Sequence, residues 1–225
     1  VNYYDNHDFL RDAQMDSQLY GRFMQESGYA QVGSISQDFL TGTIRKIMGD
    51  NEAPGVQTVL YYDSKGRVAQ RRILNYELEN EVVSYAYDFT ESPLRIKRIY
   101  DTNTKSTEEY RYEYDSHDRP LSESLCIDNG ETVTLNSYEY DELGRVRLKK
   151  HADNDWLTTA YTYNNRSWLT ELKGELFSEA LHYQEKDYGK KLYSGKISSM
   201  DWKEREKAYV NTYYLDYDQL GRLTS

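Results

Sequence analysis

Tyr140-Asp141-Glu142-Leu143-Gly144-Arg145-Val146 is the stretch on which the reading of this chain turns. The same phrase stands earlier as Tyr62-Asp63-Ser64-Lys65-Gly66-Arg67-Val68 and near the end as Tyr217-Asp218-Gln219-Leu220-Gly221-Arg222-Leu223. Worn copies lie between them. Tyr87-Asp88 is followed by Glu91 at the Gly place and has lost the Arg. Tyr114-Asp115 keeps Arg119 but carries Asp118 at the Gly place. Tyr163-Asn164-Asn165-Arg166-Ser167-Trp168-Leu169 keeps only the shape. The six tyrosines are separated by 25, 27, 26, 23 and 54 residues. The last gap is two periods, so one diverged unit is expected within residues 164–216. Self-similarity at a fixed interval is the mark of a repeat architecture.

The phrase has a mechanical meaning. Before it the chain alternates, as in Tyr110-Arg111-Tyr112-Glu113-Tyr114 and Tyr138-Glu139-Tyr140, which puts those tyrosines on one face of a strand. The Asp can bond backbone amides just beyond it and start a turn. Gly four places after Tyr suits the left-handed residue that closes a type I turn with a bulge. Asp118 is tolerable there, whereas Glu91 fits poorly and the turn at 87–94 is expected to differ. A second alternating strand follows, such as Arg145 to Lys149 or Arg67 to Arg71. Each unit is therefore a β-hairpin, tight at one end and variable at the other. A lone hairpin is marginal in water. Hairpins added in series pair edge to edge, bury the tyrosine face and leave the Arg, Lys, Glu and Thr face wetter.

Composition agrees with a sheet. Of 225 residues 24 are Tyr, against 5 Phe and 3 Trp. Leu, Ile, Val and Phe make up only roughly a fifth, near the range of disordered chains, so folding needs the tyrosines covered. Net charge is −10 with no basic stripe, which argues against nucleic-acid binding. The single Cys126 excludes an internal disulfide framework and a Cys-based zinc site. No apolar run approaches the ~18–20 residues of a membrane span. With Val1 first and no signal peptide, the chain reads as cut from something longer.

The chain divides into a pre-repeat segment, 1–55, and a hairpin array, 56–225. The first lacks the full phrase. Its Asp8 to Gln25 stretch carries Phe9, Leu10, Ala13, Leu19, Phe23 and Met24 in an imperfect helical pattern broken by Gly21, compatible with a short helix. A strand is predicted at Thr43 to Met48. In the diverged region, strands are predicted at Leu181 to Tyr183, Gly195 to Met200 and Ala208 to Tyr217, with Trp168 and Trp202 in the core.

Tyr-Asp-x-x-Gly-Arg-Leu/Val at this spacing resembles the YD-repeat, or rearrangement-hotspot (RHS), proteins over roughly residues 56–225. Leu40-Thr41-Gly42-Thr43, Tyr163 through Trp168, and Tyr193-Ser194-Gly195-Lys196-Ile197-Ser198-Ser199-Met200-Asp201-Trp202-Lys203 look like the large Bacteroidetes members. The resemblance implies a β-ribbon that spirals into a hollow shell, secreted or at the cell surface, enclosing or presenting a C-terminal effector. Family members often carry an Asp-Pro self-cleavage motif. Pro54, Pro93 and Pro120 do not follow Asp, so that chemistry is not expected here.

Several acidic and histidine clusters invite sharper chemistry. Glu77, Glu79, Glu81, Glu108 and Glu109 invite a paired-carboxylate reading, but glycosidase chemistry needs two carboxyls across a cleft. His151-Ala152-Asp153-Asn154-Asp155 starts like a calcium loop, yet Thr158 and Asn164 occupy its Gly and Glu places. His7 with Asp5 and Asp8, and His117 with Asp115 and Asp118, are explained as turn residues. Cys126 reads as a strand thiol. No catalytic residue, metal or cofactor is expected. The reading is a mainly β, non-enzymatic run of serial antiparallel hairpins in an extended, curling sheet. Its expected partner is the rest of its own polypeptide, with an unpaired strand edge open to self-association. The competing reading is carbohydrate binding through exposed Tyr and Trp faces.

Overall fold

The computed structural model describes all residues except 13–21, 35–37, 47–54, 76–79, 102–104, 185–190, 206, 208 and 225. The chain is almost entirely antiparallel strand, and the strand order follows the order of the chain without a crossover. It clusters into two compact units, Val1–Val133 and Thr134–Ser225.

The first unit begins with β1 (Asn2–Tyr4), a single helical turn α1 (Phe9–Asp12) and β2 (Leu40–Arg45). Then come β3 (Val56–Tyr62) and β4 (Val68–Asn75), β5 (Asn80–Tyr87) and β6 (Pro93–Asp101), and β7 (Ser106–Tyr114) and β8 (Pro120–Ile127). Each pair is a hairpin closed by a Tyr-Asp turn. The register slips at the tyrosine itself, between Tyr61 and Tyr62, Ala86 and Tyr87, and Glu113 and Tyr114. That slip is the bulge expected of a type I turn closed by a left-handed residue.

The second unit holds β9 (Thr132–Tyr140), whose first two residues fall to the first unit, and β10 (Val146–His151). It continues with β11 (Asn154–Tyr163), β12 (Leu169–Gly174), β13 (Phe177–His182), β14 (Ser199–Glu204) and β15 (Asn211–Tyr214). The connection from β10 to β11 is tight, with Ala152 and Asp153 both at positive φ (52° and 47°). This is the backbone of a type I′ hairpin turn, so the acidic run at 151–155 serves the turn. Asp128 and Asn129 do the same after β8, where Gly130 N–H donates to the Ile127 carbonyl at 2.8 Å.

Which face is covered differs from the sequence expectation. In β3 and β4 the directly paired residues Gln57 and Leu74, Val59 and Arg72, and Tyr61 and Gln70 share one face. The excursion between β1 and β2 lies on it. Phe9 and Leu10 of α1 pack with Val59, Tyr61 and Leu74, joined at the margin by Tyr3 and Phe23. The Phe9 ring sits against Gly42, where a Cβ would come within 2.2 Å of it. Beyond α1 the chain crosses the sheet as a strap. Gln70 clasps Met24 with two hydrogen bonds, 2.9 and 2.8 Å. Lys97 pairs with Glu26 at 3.0 Å, Arg95 bonds the Gly28 carbonyl, and Gly33 N–H donates to the Tyr62 carbonyl at 2.8 Å.

An irregular segment carries backbone groups that need partners. The face with Gln70, Arg72 and Arg95 supplies them; the face with Tyr85, Ile96, Tyr110 and Leu125 would not. Tyr62, Ala69 and Val83 are buried on the tyrosine face, but most of that face stays half-buried, and the first unit's hydrophobic cluster forms on the opposite side. In the second unit, Tyr183, Ser198 and Ser199 are the buried side chains among the described residues. Trp168 and Trp202 are half-buried rather than core residues.

The strands predicted at Leu181 to Tyr183 and Gly195 to Met200 overlap β13 and β14 by only two residues each, because the closing turn of the diverged unit occupies 193–198; the one predicted at Ala208 to Tyr217 contains β15. The strand predicted at Thr43 to Met48 is β2, and its last two predicted residues lie outside the described ones. Of the stretch read as compatible with a short helix, Asp8 to Gln25, Phe9–Asp12 form α1, while Ala13, Leu19 and Gly21 lie outside the described residues.

Candidate functional site

The site is the Tyr-Asp turn and its link to the next one. In the first complete copy, Asp63 N–H donates to the Arg67 carbonyl at 2.8 Å and Gly66 N–H to the Asp63 carbonyl at 3.0 Å. One Asp63 carboxylate oxygen accepts from the Lys65 and Arg67 amides, at 2.9 and 3.0 Å. The other accepts from Arg67 Nε at 2.8 Å. Asp141 with Arg145 and Asp218 with Arg222 repeat the set, their Nε contacts both at 2.7 Å. Asp115 with Arg119 repeats it at 2.6 Å. These carboxylates are thus pre-bonded in their charged form. The Arg119 side chain, with the backbone amides, pulls Asp115 down to about 2. For Asp63 burial opposes ionisation, but the Arg67 side chain and the amides outweigh it and its pKa is lowered. Asp141 and Asp218 are lowered chiefly by the backbone amides of Arg145 and Arg222.

The left-handed place tolerates more than the sequence suggested. Gly66, Gly144 and Gly221 all sit at φ 79°, and Asp118 at 62°. Ser167 takes φ 61° in the worn copy, where Asn164 does the work of Asp by accepting from the Arg166 and Trp168 amides. Glu91, expected to disrupt its turn, adopts φ 78° within it. Asp88 N–H donates to the Ser92 carbonyl and the Ser92 amide returns to Asp88 Oδ1, at 3.0 and 2.9 Å. Thr90 Oγ1 also donates to Asp88 Oδ1, at 2.7 Å, so the turn forms without Gly or Arg.

Two links run between hairpins, and neither was read from the sequence. The tyrosine reaches backward: its hydroxyl donates to the carbonyl just past the previous turn. Tyr87 bonds Val68, Tyr114 bonds Pro93, Tyr163 bonds Val146 and Tyr217 bonds Ile197, at 2.8 to 3.0 Å. Burial raises Tyr87 to about 12 and also raises Tyr62, Tyr114 and Tyr163. The arginine reaches forward. Arg67 lies 4.5 Å over the Tyr87 ring and bonds the Asp88 carbonyl at 3.2 Å. Arg145 lies 4.7 Å over Tyr163 and bonds the Asn164 carbonyl at 3.3 Å. Planar guanidinium serves both contacts at once. Tyr140 ends β9 and opens the turn braced by Asp141, and is half-buried.

The same links locate the unit hidden within 164–216. Tyr183 donates to the Leu169 carbonyl at 2.7 Å and packs on Trp168 at 5.0 Å, with Trp168 in the place of Arg. Its turn closes only at Gly195 (φ 87°), after which Lys196 lies 5.2 Å over Tyr217. Gln184 stands where Asp would, and the intervening insertion separates Tyr183 from its Gly. The β1–β2 connection has the same ends. Asp5 N–H donates to the Phe39 carbonyl at 2.9 Å, the Phe39 amide to Asp5 Oδ1 at 3.2 Å, and Asp38 takes φ 75°. Phe39 then packs on Tyr62 at 4.8 Å, and Tyr62 donates to the Leu40 carbonyl at 2.7 Å. A signal was present in Tyr4-Asp5, but more than thirty residues separate it from its closing half.

The described carboxylates that invite a paired-carboxylate reading are engaged elsewhere. Glu81 lies 3.9 Å from both Arg71 and Arg98, Glu108 accepts from Tyr100 and Tyr110, and Glu109 pairs with Arg111 at 2.6 Å. Glu77 and Glu79 fall outside the described residues.

No family model and no curated protein matches the chain. Solved structures do. TcdB2-TccC3 without its hypervariable C-terminal region aligns at TM-score 0.58 and 15% identity, covering 75% of this chain and 9% of that one. The TcdB2-TccC3-Cdc42 crystal structure aligns at 0.55 and 14%, over 73% of this chain and 9% of that one. The Photorhabdus luminescens Tc holotoxin pore with a TccC3 mutation aligns at 0.56 and 14%, over 72% and 9%. The fold is RHS-like. At these identities the likeness is one of fold, and this chain spans about a tenth of the length of the chains it matches.

Proposed function

We propose that this chain is a non-enzymatic wall segment of a larger secreted or surface-exposed YD-repeat protein. Its hairpins extend a sheet that encloses or presents a further domain of the same polypeptide. The observation that carries this reading is the two-way link between turns, tyrosine hydroxyl backward and arginine forward. A series of hairpins, each gripping the next, builds an extended surface rather than a convergent site. The RHS-like fold, shared with chains of TcdB2-TccC3 structures, supports it. The sequence phrases add the likeness to Bacteroidetes members and, with it, a location outside the cytoplasm. Residues 56–225 are the regular array, and 1–55 are a first hairpin whose turn is opened to supply the strap.

The test is electron cryomicroscopy of the full polypeptide that carries this segment. The wall reading expects density for these strands to run on, hairpin by hairpin, into flanking sheet around a lumen or platform. A segment folded as an isolated bead between linkers would contradict it.

A further inference from the structure

In the first unit, the face opposite the tyrosines gathers cations that lie apart in the sequence. Gln70, Ser84, Lys97 and Glu109 stand directly opposite one another across β4 to β7, and Ala86, Arg95 and Arg111 do so in the next row. Arg72, two residues from Gln70 on β4, shares their face. Arg111 is held by Glu109 at 2.6 Å. Arg72, Arg95 and Lys97 are met by the strap instead. It lies carbonyl side down: the Arg22, Met24 and Gly28 carbonyls accept from Arg72, Gln70 and Arg95 in turn. Between them Glu26, the one acid within 22–34, sits 3.0 Å from Lys97. The strap is thus held mainly by polar contacts. Within 22–34 Tyr29 alone is buried, 4.9 Å beneath Arg95, with Phe23 at the margin of the hydrophobic cluster. The Lys97 and Glu26 side chains remain 22% and 21% exposed. A segment with so few buried apolar contacts opens without the rest of the fold.

We propose that the strap is a displaceable cover, and that the seat beneath it binds an extended segment of a partner protein with a carboxylate at the place of Glu26. The strap itself displays what the seat recognises: three carbonyls along one run of backbone, with an acid between them. Charge complementarity favours such a segment. With the strap lifted, Arg72, Arg95 and Lys97 stand together on one face of a chain whose net charge is −10, and Glu109 is already taken by Arg111. Gln70 argues for a peptide. It accepts from the Met24 amide at 2.9 Å and donates to the Met24 carbonyl at 2.8 Å, a pairing fitted to one residue of backbone. An anionic polysaccharide would answer the charge alone. The seat does not rest on the wall reading, which the links between turns carry.

A tethered cover competes at high effective concentration, so the test first weakens it. In the 225-residue chain Glu26→Lys sets like charges together at Lys97, and Glu26→Ala removes the anchor without adding charge. Hydrogen exchange read by mass spectrometry is expected to quicken about tenfold or more at Ala30 and Gly33, whose amides donate to the Tyr85 and Tyr62 carbonyls. Exchange in β5 and β6 should stay unchanged. A fluorescent peptide copying residues 22–33 should then bind either variant saturably, and about tenfold or more tightly than it binds the wild-type chain. Glu26→Lys in the peptide, or Lys97→Ala added to the chain, should weaken that binding about tenfold. Strap amides as protected in both variants as in the wild type would overturn the proposal. So would exchange that quickens equally through β5 and β6, an opened strap whose seat takes no peptide, or dextran sulfate bound as tightly as the peptide.

Discussion

At the scale of the residue, the Asp of each phrase holds the structure by being charged. Its oxygens take two amides and a guanidinium, and its pKa is held below the ordinary range in Asp63, Asp115, Asp141 and Asp218. Thr90, ahead of the amides, does the same for Asp88. A carboxyl whose folded pKa is depressed contributes stability above its unfolded value and loses it as pH falls through the folded one. The melting temperature is therefore expected to be flat from about pH 7 to 5 and to fall between about pH 4 and 2. Asp115→Asn, measured across the same range, should flatten part of that fall. Glu91 offers a second test. Its φ of 78° costs a non-glycine residue about 1–2 kcal/mol, partly offset by the freedom that glycine adds to the unfolded chain. Glu91→Gly is expected to stabilise by about 0.5–1 kcal/mol in denaturant titration, and Gly144→Val, at φ 79°, to destabilise by about 1–2 kcal/mol.

At the scale of the element, the hairpin was legible because its two strands alternate with period two and its turn carries residues with distinct backbone habits. Tyr110 to Tyr114 and Arg145 to Lys149 appear in β7 and β10 much as their patterns require. What the sequence could not show was which side of a strand would be covered. Alternation separates two faces but does not say which meets a second layer, and the layer here is an irregular strap that needs polar partners more than tyrosine rings. The two opened turns were hidden for another reason. Asp5 bonds Phe39, and the Leu192 amide donates to the Tyr183 carbonyl, each across an insertion, and a search for contiguous phrases passes over them. The glycine of Leu40-Thr41-Gly42-Thr43 now has a physical role, as the floor for Phe9. Gly42→Ala is expected to displace that ring and cost about 1–3 kcal/mol by overpacking. The loss should be local, seen as faster amide exchange in α1 and the strap.

At the scale of the molecule, strands in chain order with links between successive turns make stability a sum over neighbours. An arginine left exposed to water should then contribute little. Arg222 shows this condition: its side chain is 76% exposed, against 18% for Arg67. Arg222→Ala is expected to change stability by no more than about 0.5 kcal/mol, while Arg67→Ala loses a stacked ring and a carbonyl as well as its Asp. The most direct measurement of the coupling is a double-mutant cycle on Arg145→Ala and Tyr163→Leu, read by equilibrium denaturation. If each turn grips the next, the pair should show an interaction energy of about 1 kcal/mol or more. Losses that simply add, to within about 0.3–0.5 kcal/mol, would mean that the hairpins merely lie side by side.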